Sequence, residues 1–117
     1  MVKYKFELKD AYDFGWEGLK AKAYSDASNF KEASASVFYV SESHGKVKSL
    51  VSNRIYYVLD GEGEFIINNE TIPVKISDVI IVPKNTPYDY KAKKGTILKL
   101  FLVHSPSWNP DKEVKLK

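Results

Sequence analysis

Between Ala35 and Ser105 the chain is a succession of short β-branched and aromatic runs, each closed by residues that turn the backbone. "ASVFYVSE", "KVKSLVS", "RIYYVLD", "GEGEFIIN", "NNETIPVKI", "DVIIVP", "TPYDYKA" and "TILKLFLVHS" follow one another. The breaks fall at Asp60-Gly61, Asn68-Asn69, Pro83-Lys84-Asn85 and Lys94-Gly95, all of them turn-forming combinations. No segment after Ala35 carries a helical period. About seven or eight strands at intervals of roughly 8–12 residues predict an all-β sandwich or barrel.

The 117 residues are enough for one core and one domain. Residues 1–34 read as a less regular N-terminal segment with a possible edge strand, 35–106 as the barrel, and 107–117 as a tail that packs on it. Within the tail, "KEVKL" is a candidate short strand. No apolar stretch approaches the roughly 20 residues that span a bilayer. "MVKYKFELKDAYDFGW" lacks the apolar centre of a signal peptide, which favours a cytoplasmic location. With no cysteine, disulfides and thiolate zinc sites are excluded. The net charge of +3 comes from scattered lysines, and "KAKKG" reads as a turn, so no basic stripe for nucleic acid is expected.

Alternation assigns the faces of some strands. Leu98, Leu100, Leu102 and His104 share one face, and Lys99 on the other turns the leucines inward. Arg54, Tyr56 and Val58 lie opposite Ile55, Tyr57 and Leu59. Both sets are apolar enough to be buried, so the pattern leaves the direction of Arg54 open. Arg54 is the only arginine among eighteen basic residues.

"YYVLDGEGEFIIN" followed by "SDVIIVPKNTPYDY" resembles the paired motifs of the cupin superfamily. The first family motif has two histidines separated by one residue, then a glutamate, then six residues and a glycine. Counting back from Gly61 puts Arg54 at the glutamate. The histidine positions fall on Lys48 and Leu50, or on Val47 and Ser49. In the second motif Ser77 takes the first glycine, Pro83 matches the proline and Asn85 stands at the second glycine, where left-handed geometry suits it. Tyr88 replaces the histidine and Ala92 the asparagine. The resemblance implies a double-stranded β-helix, a jelly-roll-like cupin barrel, and commonly a homodimer. The usual metal ligands are all replaced: lysine and arginine are cations at neutral pH and leucine cannot ligate, so neither metal nor another cofactor is expected.

In the cupin frame the site that ordinarily holds metal would be lined by Lys48, Arg54, Tyr56, Tyr88, Tyr90 and His104. This set is cationic and aromatic. The guanidinium fork suits carboxylate or phosphate, and the tyrosines supply stacking faces and hydroxyls. The expected ligand is a hydroxylated or anionic small molecule of the sugar or sugar-phosphate class. Two alternatives remain: a metal-independent isomerase or epimerase of a sugar nucleotide, with His104 and Tyr88 as catalytic candidates, or a structural or regulatory oligomerisation module without a ligand. Arg54 could instead pair internally with Glu62, Glu64 or Asp89. His44, before Gly45 in a turn, reads as an exposed loop residue. Trp16 and Trp108 are placed over the barrel ends or at a dimer seam.

Overall fold

A computed structural model describes residues 3–116. The chain forms β1 (Tyr12–Trp16), β2 (Leu19–Ala23), β3 (Ser34–Val40), β4 (Val47–Ser49), β5 (Asn53–Asp60) and β6 (Glu62–Ile67). It continues with β7 (Glu70–Lys75), β8 (Val79–Val82), β9 (Tyr88–Ala92), β10 (Leu98–Ser105) and β11 (Glu113–Lys115). One sheet has six strands in the order β1-β2-β3-β10-β5-β8, the other five in the order β11-β4-β9-β6-β7, and every pairing is antiparallel. The ladders leave two separate sheets packed face to face, a jelly-roll of the cupin kind rather than a continuously closed ring.

The turn chemistry explains the connections. Asn68 and Asn69 both take positive φ (49° and 68°), the pairing that a two-residue hairpin requires between β6 and β7. Gly61 has φ 81°, and a Cβ there would sit 2.1 Å from the carbonyl oxygen of Ile97, so only glycine fits between β5 and β6. Ser77 and Asn85, at the two glycine positions of the second motif, are both left-handed (φ 76° and 62°).

Residues 12–23 form a hairpin that extends the larger sheet, and Leu19, Ala21 and Ala23 alternate into the core while the lysines between them face out. At the other end of the chain, β11 pairs with β4 and borders the smaller sheet. Burial alternates along β3 and β10 with period two, as the half-buried strands of a two-layer fold should. The core lies between the layers: Val40, Val58, Leu98, Leu100 and Leu102 from the larger sheet meet Phe65, Val74 and Tyr90 from the smaller. Tyr56 packs edge-on against Phe65 at 5.0 Å and Tyr90 at 5.3 Å, which ties the sheets together through their aromatic rings.

Candidate functional site

The strand register sorts the interior by polarity. Along β10, Leu98 lies opposite Val40, Leu100 opposite Phe38 and Val58, and Leu102 opposite Ser36 and Tyr56. His104 then lies opposite Ser34 and Arg54. Three neighbouring strands thus become polar at the same end, and there the layers do not close. A cavity of about 530 Å³ opens between them. Its polar wall includes His44, Arg54, Tyr56, Tyr88, His104 and Glu113, and its aromatic wall includes Phe14, Trp16 and Trp108. This size and mixture suit a small-molecule site. A larger, shallower groove is lined by charges of both signs, among them the ion pairs Lys91 with Glu64 at 3.1 Å and Lys93 with Glu62 at 3.4 Å.

Arg54 points inward and is 2% exposed. Its guanidinium bonds the Glu113 carboxylate and lies 5.5 Å over the ring of Tyr88. The internal partner is therefore an acid of the C-terminal strand, not Glu62, Glu64 or Asp89. The first two pair with lysines, and Asp89 accepts from Ser43 and Gly45. Tyr56 donates to the hydroxyl of Tyr88 at 3.0 Å, leaving the Tyr88 proton for another acceptor. Burial pushes both phenols well above their ordinary value, so they stay protonated donors at neutral pH.

His104 is 4% exposed, and its Nδ1 has no hydrogen-bond partner. Burial, followed by the nearby charge of Arg54, holds its pKa well below the ordinary histidine value, so it is neutral at pH 7. An unpartnered polar atom on a buried cavity wall is costly unless something from the cavity meets it.

His44 corrects the reading of an exposed loop histidine. Its ring stands 4.7 Å from Tyr90 in a stacked arrangement, with the edge of Trp16 5.4 Å away, and it lines the cavity. The loop that presents it is built by Asp89, which accepts from the Ser43 hydroxyl at 3.1 Å and the Gly45 amide at 2.8 Å. Gly45 supplies the φ of 98° that the loop needs. His44 Nδ1 lies 2.9 Å from the Gly45 carbonyl. A carbonyl can only accept, so Nδ1 carries the proton and Nε2 is left as the basic nitrogen. Burial lowers the His44 pKa, with the Gly45 and Asp89 contacts opposing it, so the neutral form is favoured.

Two other residues expected in the site lie elsewhere. Lys48 turns away from the interior, because Val47 and Ser49 on either side of it face in; it is half-exposed and pairs with Val114 across the β4–β11 ladder. Tyr90 is fully buried behind the wall, against Phe65 at 4.7 Å, and supports His44 without lining the cavity. Trp108 lines the cavity in a stack with Phe14, at 5.9 Å and 13° between planes. The residues at the family's metal positions do not fit a metal. A guanidinium paired to Glu113 stands at one and a tyrosine at another, and no cluster of three or more His, Cys, Asp or Glu side chains occurs among the described residues. Among the described residues no helix is long and apolar enough to cross a membrane.

Comparison with known proteins places this geometry. The cupin-domain family Cupin_2 matches residues 51–104. The uncharacterized protein MJ1618 of Methanocaldococcus jannaschii is 32% identical over 62 residues, covering 53% of this chain and half of that protein, so the chain spans about half the length of the curated relative it matches. Among solved structures, Pac13 of Streptomyces, a nucleoside dehydratase, superposes with a TM-score of 0.87 at 26% identity, covering 99% of this chain and 92% of that one. Pac13 variants, one changed at a histidine and two at tyrosines, have been solved with uridine. KdgF from Halomonas sp., at 16% identity and a TM-score of 0.79 over 94% of this chain and 98% of that one, shares the fold. By the match over residues 51–104 and by architecture, this chain has the cupin fold, with an arginine and a tyrosine at two of the positions where the cupin motifs carry metal ligands.

Proposed function

We propose that this cupin works without a metal, binds a nucleoside-type ligand in its cavity and moves a proton on the ligand's sugar, with His44 as the base. The observation that carries the reading is the tautomer of His44. The Gly45 carbonyl holds the proton on Nδ1, so a cavity-lining ring keeps an unprotonated Nε2 at neutral pH. The similarity to a nucleoside dehydratase supports the ligand class, and histidine and tyrosine are the residue types altered in its uridine complexes.

The remaining wall suits such a ligand. Phe14, Trp16 and Trp108 offer ring faces and edges to a base, while Tyr88 and His104 offer polar groups to ribose hydroxyls. Abstraction of a proton from a sugar carbon beside a carbonyl is the first step shared by dehydration, isomerisation and epimerisation. Nε2 takes that proton, the electron pair left behind moves onto the carbonyl oxygen as an enolate, and the Tyr88 hydroxyl donates a hydrogen bond to the developing oxyanion. Desolvation at the cavity wall keeps His44 neutral and ready to accept.

Calorimetry with uridine tests binding. Deuterium exchange at the sugar carbons of a carbonyl-bearing oxidised nucleoside, followed by NMR, tests the chemistry. His44→Gln should keep uridine binding and slow exchange by about 10²–10⁴-fold. Unchanged exchange would remove His44 from the base role, and no uridine binding by the unaltered protein would refute the ligand class.

A further inference from the structure

The cavity wall is electrically lopsided. Its charged members are Lys46, Arg54, Lys115 and Glu113, three cations and one carboxylate, so with both histidines neutral the wall carries +2. The carboxylate is already spent on Arg54. Neither Lys46 nor Lys115 makes an ion pair among the described residues.

The two lysines come from adjoining backbone. Lys115 lies opposite Val47 in the β4–β11 ladder, and the Leu116 amide donates to the Lys46 carbonyl at 2.8 Å. Both residues are exposed, at the rim, while Phe38, Tyr56, Tyr88 and Arg54 lie deeper. The docking of the C-terminal strand thus brings two ammonium groups to the cavity mouth, and among the described residues the one acid lining the cavity, Glu113, is held by Arg54.

From this arrangement we infer that the ligand is a phosphorylated nucleoside, a nucleotide whose base and sugar enter the cavity and whose phosphate is held at the rim by Lys46 and Lys115. The inference rests on the proposed nucleoside site and adds the phosphate to it. Lysine heads are point charges on flexible stems, and they hold a phosphate without demanding one fixed orientation. Because the contacts are at the rim, salt should weaken them.

Calorimetry with uridine, uridine 5′-monophosphate and inorganic phosphate, at low and high salt, tests this on the full chain. The nucleotide should bind about tenfold tighter than uridine at low salt, with the ratio shrinking at high salt. In the double variant Lys46→Gln/Lys115→Gln the ratio should fall toward one. Both lysines are exposed, so this variant should fold, and the ratio of two affinities is insensitive to small changes in stability. Uridine binding as tightly as its monophosphate would overturn the inference and leave the nucleoside reading standing. A ratio unchanged in the double variant would overturn the assignment to these lysines. Inorganic phosphate competing as well as the nucleotide would reduce the rim to a general anion site and overturn it too. If neither uridine nor the nucleotide binds, both readings fail.

Discussion

The two ends of the space between the sheets are built from the same strands and have opposite characters. Toward the β5–β6 turn, Val40, Val58, Leu98 and Leu100 are fully buried in one apolar cluster with Phe65 and Tyr90. Two to six residues further along those strands stand Ser34, Ser36, Arg54, Tyr56, Leu102 and His104, and the layers enclose a cavity. The packed end supplies the stability that lets the open end keep a buried guanidinium and an unpartnered imidazole. A fold of this size could not carry such groups throughout its interior, since each buried polar group without a partner costs about 1–3 kcal/mol.

Substitutions at the two ends should separate these roles. Leu100→Ala, at the packed end, should cost about 3 kcal/mol through lost burial and the cavity left behind, and should leave the uridine affinity of the folded protein unchanged. Urea denaturation measures the first effect and calorimetry the second. If Ser36→Ala, at the open end, destabilised the protein as much, the division between the two ends would be wrong.

Glu113→Ala tests the seam between the C-terminal strand and the cavity. It strands the buried charge of Arg54 and should cost about 2 kcal/mol, below the roughly 3–5 kcal/mol of a fully enclosed pair because Glu113 keeps some contact with water. Arg54→Met should be milder, since the freed carboxylate can turn to solvent. Equal losses in the two variants would mean that the pair is not asymmetric in burial.

The smallest effect concerns pH. His104 and His44 both have pKa values held below that of an exposed histidine, about 6.5. Between the folded and unfolded values the unfolded chain binds more protons, so stability is full above about pH 6.5 and falls as pH drops below it. The groups acting on His104 are Arg54 and His44, both of which oppose its charge. The melting temperature should therefore decline below about pH 6.5, and the decline should be shallower in His104→Gln. An identical slope in that variant would remove His104 from the account.

Much of the fold was legible from residues 35–105, because hairpin turns need particular residues. Asn68-Asn69, Gly61 and Asn85 all occupy the positive-φ positions their chemistry suits. The N-terminal hairpin was harder to read. Its inner strand is "LKAKA", where alanine and lysine carry little strand preference, and only packing against β3 makes Ala21 and Ala23 core residues. The inward turn of His104 followed from the lysine on the opposite face of β10, whereas the direction of Arg54 could not be read from a strand apolar on both faces.

His44 and Glu113 lay beyond reach for a different reason. His44 sits in an irregular loop with no periodicity, and Asp89, forty-six residues away from Ser43, sets its position. Glu113 meets Arg54 across fifty-nine residues, through a three-residue strand that has no core of its own.

The sequence by itself determined the all-β class, the succession of strands and turns from Ala35 onward, and the residues that stand at the cupin metal positions, because these depend on local preference and on residue identity. The tertiary structure decided that Arg54 bonds Glu113, that His44 is drawn from a loop to the cavity wall, and that Lys46 and Lys115 share a rim. Each of those depends on which distant segments lie side by side, and side-chain chemistry alone does not record that.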